Sequence, residues 1–360
     1  MFSERTSVGL DVHARSVVAA ALDTVTGEVV EARLSPDVRE VVGWLARLPG
    51  PVAVAYEAGP TGFGLFRAIS GMPVRCVVVA PSKLLRPAGD RVKTDRRDAL
   101  HLARLLRTDQ VVEVTVPSVE QEAARDLVRA REACRADLMR ARHRLSKLLL
   151  RHGVVYSGGA AWTVVHDRWL QQQRFDNPQT RATFDAYYDQ VLTTTALRTR
   201  LNAQIEALAA DSEFTGVVRR LGCLRGIATL TAFGLAVEIG DWTRFTGNTI
   251  GAFVGLTPSE SSTGASRVQG PITKTGNGHA RRLLVEAAWH HAADYRKTKT
   301  LFDRWQLASP AARARGDAGN RRLHQRWEVF HARHKRPVIA NVAVARELAG
   351  WCWSLAVLNE

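Results

Sequence analysis

Cysteine is scarce and scattered in this 360-residue chain: Cys76, Cys134, Cys223 and Cys352 stand far apart, and no C-x-x-C occurs. That spacing gives neither a zinc ligand set nor a disulfide framework, which excludes a cysteine-held metal and a stapled secreted fold. No run of 18 apolar residues occurs, and Met1-Phe2-Ser3-Glu4-Arg5 lacks the apolar core of a signal peptide. The expectation is a cytoplasmic protein with no membrane partner. Acidic residues are in deficit, 35 against 50 Lys and Arg, leaving +15 and implying a polyanionic partner. The excess is local: residues 83–107 carry +5, 125–151 carry +6 and 313–336 carry +6, so the remainder is close to neutral. Clusters of this kind suit contact with a phosphate backbone. Apolar residues make up 46% of the chain, enough for two or three cored domains and too many for a disordered chain.

Where acids are few, those that interrupt apolar runs are the most informative. Residues 6–13 and 16–23 read as a hairpin with a third strand at 29–34, and Asp11 breaks the first strand after Val8-Gly9-Leu10. A helix at 38–48 leads to a second strand, Val52-Ala53-Val54-Ala55-Tyr56, which also ends on an acid, Glu57. After another helix comes a third strand, 74–79. Strand–helix alternation predicts an α/β domain with parallel central strands, whose C-terminal ends converge. Next, Lys93-Thr94-Asp95-Arg96-Arg97-Asp98-Ala99 opens a helix with Leu102, Leu105 and Leu106 at helical spacing. Asp95 and Asp98 then lie one above the other, roughly 5–6 Å apart at Cβ. At an effective dielectric of about 20 their repulsion is on the order of 3 kcal/mol. A divalent cation would relieve it; the other reading is a solvated helix face with Asp95 as N-cap. If Asp11, Glu57, Asp95 and Asp98 meet at one sheet edge, their four charges balance two divalent ions. Oxygen-only ligands favour Mg²⁺ or Mn²⁺. Two such ions about 3.5–4 Å apart clamp the attacking and leaving oxygens of a phosphodiester.

The set Gly9-Leu10-Asp11, Tyr56-Glu57-Ala58 and Lys93-Thr94-Asp95-Arg96-Arg97-Asp98-Ala99 resembles the DEDD transposases of the insertion-sequence one-hundred-and-ten family. The resemblance spans nearly the whole chain. It implies a RuvC-like (RNase H-like) α/β N-terminal domain over 1–112, a coiled-coil helical spacer over 113–213 and a mainly α C-terminal transposase domain over 214–360. It also implies Mg²⁺ at Asp11, Glu57, Asp95 and Asp98, a serine nucleophile in the last domain, and an RNA-guided recombinase that cuts and rejoins donor and target DNA. The guide RNA would be encoded by the same element, and the protein would act as a homo-oligomer, a dimer or tetramer.

Residues 118–152 read as one long basic helix with Leu127, Cys134, Leu138, Ala141, Leu145 and Leu148 along a seam. Leu197, Leu201, Ile205 and Leu208 mark its partner, while 153–195 shows no motif. Residues 221–228 resemble a helix-hairpin-helix turn, with Arg225 and Ala228 where Pro and Gly are usual. The stretch Ser259-Glu260-Ser261-Ser262-Thr263-Gly264 reads as a hydroxyl-rich loop, followed by a glycine-broken basic loop to Arg282 that suits phosphate. By the resemblance, a Ser in this signature is the nucleophile; Ser262 is preferred to Ser261 and Thr263 because a primary hydroxyl is less hindered than threonine's. Basic sequence with Trp305, Trp327 and Phe330 interleaved suits stacking on nucleic acid or, equally, solvated helices around core aromatics. The expected backbone contacts are Lys83, Arg91, Lys93, Arg96, Arg97, Arg140, Arg144, Lys147, Arg267, Lys274, Arg281 and Arg282. A metal-dependent structure-selective nuclease and a non-catalytic nucleic-acid-binding protein remain as alternatives to the recombinase.

Overall fold

Period-two alternation builds the N-terminal sheet. In β1 (Thr6–Val12) and β2 (Val17–Asp23), Val8, Leu10, Ala19 and Ala21 are buried and pair across an antiparallel register, Val8 with Ala21 and Leu10 with Ala19. β3 (Val29–Leu34) completes the meander; β4 (Val52–Glu57) and β5 (Val74–Val79) then add parallel to β1, giving the order β3-β2-β1-β4-β5. The computed structural model describes residues 4–85, 94–264 and 266–359, so Arg91 and Lys93 lie outside the described residues. One face of the mixed sheet buries Leu10, Val54 and Tyr56 against α1 (Val38–Leu45) and α2 (Gly64–Ile69). The other buries Ala53, Ala55, Val77 and Val79 against Leu102 and Leu106 of α3 (Asp95–Arg107). The strands fall where alternation put them, and α1 stops three residues short of the expected Leu48.

Gly9 fixes where α3 crosses the sheet. A Cβ there would stand 2.0 Å from the Ala99 carbonyl oxygen, so α3 lies directly on the β1 backbone and only glycine permits it. Strand parity puts Asp11 on the same face as Gly9, and helical pitch puts Asp95 one turn before Ala99. A single missing side chain thus brings the sequence-distant acids together.

The chain divides into two compact units, Met1–Pro117 and Ser118–Glu360. The second opens with α4 (Val119–Arg151) and, after α5 (Val164–Gln171), α6 (Pro178–Ala210). Arg131 bonds Asn202, Cys134 the Thr194 carbonyl and Arg144 Gln190, so α6 runs antiparallel to α4. Of the α4 residues foreseen at the seam, Cys134, Leu138, Ala141, Leu145 and Leu148 are buried and Leu127 is half-buried. On α6 the foreseen seam holds at Ile205, which is buried, and is displaced elsewhere: Leu197 and Leu208 are exposed, Leu201 is half-buried, and Phe184, Val191 and Ala209 are buried. At 100° per residue, Leu197 and Leu208 fall about 60–80° to one side of Ile205. The unmotivated stretch 153–195 proves to be an aromatic cap on this pair, in which His166 packs among Tyr156, Trp162 and Trp169.

The rest packs α7 (Thr215–Leu221), α8 (Thr229–Ile239), the short α9 (Ile250–Phe253), α10 (Gly278–Ala288), α11 (Lys299–Trp305), α12 (Pro310–Ala332) and α13 (Pro337–Ala356) around one core. Trp305, Trp327 and Phe330 belong to that core, at 7%, 8% and 5% exposure, which decides between the two readings in favour of core aromatics and against a stacking platform. Their polar ends are satisfied internally, the indole N–H of Trp305 donating to the Cys223 carbonyl and that of Trp327 to Ala288. Among the described residues no helix is long and apolar enough to cross a membrane.

Candidate active site

Asp11 is the penultimate residue of β1, and Glu57 ends β4 at the same level, since Leu10 pairs with Tyr56 immediately before them. Both point to the face that carries α3. The first turn of α3 brings Asp95 and Asp98 alongside, with Thr94, not Asp95, as N-cap, its hydroxyl accepting from the Arg97 N–H. Ligand atoms of Asp11, Asp95 and a residue not foreseen, His13, all lie within 4.8 Å of one another. The His13 Nε2 stands 3.1 Å from Asp11 and 3.8 Å from Asp95. Glu57 and Asp98 lie outside that close group. Burial pushes the Asp11 carboxyl above its ordinary range; His13 opposes this, and the charges of Asp95 and Asp98 add to it. Arg96 does not fold back to relieve the acids, because its guanidinium pairs with Glu31 at 2.6 Å.

A divalent cation fits this cluster. Asp11 is crowded by two further acids with one imidazole to offset them, and Asp95 and His13 are about half exposed, leaving access for an ion. The imidazole amends the oxygen-only expectation, and a mixed nitrogen and oxygen set tilts the choice from Mg²⁺ toward Mn²⁺. The signal for His13 was in the sequence: Asp11-Val12-His13 repeats the two-residue period that puts side chains on one face.

The hydroxyl-rich stretch is not a loop. Residues Pro258–Thr263 (β6) and Ser266–Ile272 (β7) form an exposed two-stranded hairpin, with Ser262 opposite Arg267. Ser262 Oγ donates to Glu260 at 2.8 Å, and Glu260 in turn accepts from Arg267 at 2.9 Å. The Arg267 hydrogen bond, then that of Ser262, hold the Glu260 carboxyl below its usual range. Glu260 is the second residue that sequence reasoning missed; once a strand is granted, period two sets it beside Ser262.

The expected backbone contacts divide. Lys83, Lys147 and Lys274 are exposed. Others have partners within the chain: Arg144 donates to Gln190, Arg140 pairs with Asp137, and Arg97 also has a partner. Arg281 donates to the Val254 and Thr275 carbonyls, and Arg282 bridges Glu132 and Glu286. Arg225 of the hairpin-like turn likewise donates to the carbonyls of Ala293 and Asp294.

Glu238, at the end of α8, is an acid of another kind. Its side chain is fully buried, and it accepts a fork from Arg129 at 3.0 Å, one bond from Asn277 at 2.7 Å and one from His279 at 3.1 Å. Burial works against its charge, yet the bonds from His279, Arg129 and Asn277 prevail and hold its carboxyl down at about 2.

Residues 8–153 match a transposase family model of DEDD, IS110 type, and residues 218–303 match the Transposase IS116/IS110/IS902 family. The protein named "Putative transposase y4qE" of Sinorhizobium fredii is 37% identical over 97% of this chain and 88% of its own length. The transposase for insertion sequence element IS1533 of Leptospira borgpetersenii is 30% identical over 91% of this chain and 97% of its own. A third relative, the transposase for insertion sequence element IS1328 of Yersinia enterocolitica, is 28% identical over 69% of this chain and 73% of its own. An acid-edged α/β unit joined to a helical unit is in this case a DNA transposase. Within that class, the chain belongs to the IS110 family of insertion-sequence transposases.

Proposed function

We propose that this transposase is an RNA-guided recombinase that cuts and rejoins DNA through a covalent phosphoserine at Ser262, with a divalent cation held by Asp11, Glu57, Asp95, Asp98 and His13. The convergence of Asp11, His13 and Asp95 is the observation that carries the reading. The RuvC-like description is supported by the meander and two parallel strands, with acids at the ends of β1 and β4. Guide RNA and assembly into a dimer or tetramer rest on the family resemblance. A divalent cation would supply Lewis acidity at a phosphate oxygen when bound.

The chain's own part begins with Ser262. Its hydroxyl is a weak nucleophile at neutral pH, and Glu260, kept ionised by Arg267, aligns it and accepts its hydrogen bond. Attack forms the Ser262 Oγ–phosphorus bond and breaks the bond from phosphorus to a deoxyribose oxygen, which leaves with a proton. The phosphodiester's free energy is retained in the serine ester, so a second strand's hydroxyl displaces Ser262 without ATP.

The test uses end-labelled DNA, Mg²⁺ or Mn²⁺, and RNA co-purified from cells carrying the whole element, followed by denaturing gel and peptide mass mapping. The expected result is a phosphodiester-linked peptide containing Ser262, absent in Ser262→Ala. Alanine at Asp11, Glu57, Asp95 or Asp98 should abolish cleavage with binding retained. Efficient cleavage by Ser262→Ala, with free 5′-phosphate ends, would hand the case to a metal-dependent nuclease.

A further inference from the structure

At the base of the β6–β7 hairpin a groove of about 990 Å³ opens between the hairpin and α13. Its hairpin wall is Pro258, Gln269 and Pro271, and its apolar floor includes Val338, Ile339 and Val342. Val338 and Ile339 are 65% and 49% exposed, an apolar strip on a helix whose opposite side, including Val344, Leu348 and Leu355, closes the core. The rim is cationic: Arg315, Arg326, Lys335 and Arg346 against the lone carboxylate Glu347. Arg315 lies over Trp351, its Cζ 4.4 Å from the ring centroid, and is held there by Ser354. Arg326 shares Glu347 with Arg322, while Lys335 and Arg346 are exposed.

We propose that this groove binds the single-stranded DNA flanking the phosphate that Ser262 attacks, seating two or more unstacked bases on the apolar floor with their phosphates along the cationic rim. The proposal rests on the reading of Ser262 as nucleophile. Three features select this occupant. Apolar floor and cationic rim in one groove match the two faces of a single strand, bases and backbone, whereas a duplex hides its bases. The volume is several times that of one base. Continuity with the hairpin gives the distance: Ser262 is four residues up β6 from Pro258, about 13 Å at 3.3 Å per residue. At a rise of about 3.4 Å per nucleotide that is roughly four nucleotides, fewer if the strand is stretched. The groove would hold a cleaved strand in place while its end stays on the serine.

The experiment measures binding of the full-length protein to a fluorescein-labelled 12-nucleotide oligothymidine, a duplex of equal length and an oligouridine, by anisotropy at fixed salt. Photocrosslinking of 5-iodouracil oligothymidine with peptide mapping accompanies it. The variants are Val338→Ser/Ile339→Ser and Lys335→Gln/Arg346→Gln, all at exposed side chains. Each pair should weaken oligothymidine about tenfold, the apolar pair should leave the duplex within twofold, and the crosslink should fall in residues 337–356. Unchanged oligothymidine affinity in both pairs, a crosslink elsewhere, or preference for oligouridine overturns the proposal. So does concentration-dependent self-association that Ile339→Ser abolishes without changing DNA affinity, because the occupant would then be a second copy of this chain. Ser262→Ala should bind oligothymidine as the wild type does. If the groove results hold and no serine adduct is found, the nucleophile reading fails alone.

Discussion

Asp11 and Glu238 are both carboxylates at or near the end of a buried element, each with a histidine at 3.1 Å, and they are displaced in opposite directions. Asp11 has one imidazole and two neighbouring acids, so burial raises its carboxyl. Glu238 has a guanidinium fork, an amide and an imidazole, and its carboxyl falls to about 2 despite deeper burial. The first unit leaves an acid short of positive charge, and the second supplies an acid in full. Crowded acids at a sheet edge call for a ligand from outside; the acid between α4, α8 and α10 already has its partners and serves to join the helices.

The sharpest way to break this contrast is to delete each acid. Glu238→Ala would leave the Asn277 amide and the largely buried His279 ring without an acceptor beside a buried void, while the half-exposed Arg129 reaches water; at about 1–3 kcal/mol per orphaned group this should read as a large fall in the thermal midpoint. Asp11→Asn removes charge from a crowded site, so with chelator present its midpoint should hold or rise. Equal losses from both would mean that Asp11 is structural too.

Acid titration comes second. The Glu238 carboxyl sits at about 2 in the folded chain against 4.5 ordinarily, so its stabilisation is complete above pH 4.5 and disappears as pH falls toward 2. That amounts to about 3 kcal/mol. His291 acts with the same sign. Burial, with the charge of Arg225 next, pushes its imidazole down to about 3, so the unfolded chain takes up a proton between pH 6.5 and 3 that the folded chain refuses. Thermal midpoints should therefore drop steadily below pH 6.5, and His291→Leu should flatten the part of the slope between pH 6.5 and 4.5.

Gly9→Ala is expected to have a smaller effect on stability. The added methyl meets the Ala99 carbonyl, and the overpacking should cost about 1–3 kcal/mol. It should also lift α3 from β1 and weaken Mn²⁺ binding, measured by calorimetric titration, because Asp95 moves with the helix. Smallest of all, His13→Gln should leave the fold unchanged, reduce Mn²⁺ affinity about tenfold and affect Mg²⁺ less, since only the softer ion gains from imidazole. Equal losses for both ions would remove His13 from the ligand set.

Much of the first unit was legible in the sequence because its information is local. Strand alternation, the acids that end two strands and the helical spacing after Asp95 each lie within a few residues of one another. The second unit was read less well for the opposite reason. Nothing near Arg129 in the sequence points to Glu238, 109 positions away, which takes its guanidinium, and nothing local decides between stacking and burial for Trp327, whose N–H goes to Ala288. The β6–β7 hairpin escaped because its strands carry almost no apolar residues, so no alternation marks them; even Val268 is 59% exposed. His13 and Glu260 each stand two positions from a site residue, Asp11 and Ser262, so only strand period, and no cluster of like residues, marks them in the sequence.

The exposed hairpin also bears on how such a protein changes over generations. A two-stranded ribbon without a core of its own is marginally stable and opens far more readily than the helices beneath it, so its amide protons should exchange with solvent early. Substitutions in it fall outside the cooperative unfolding unit. Residues around Ser262 can therefore vary, and altered preferences at that position can be sampled by drift, while the thermal tolerance of the host fold stays the same.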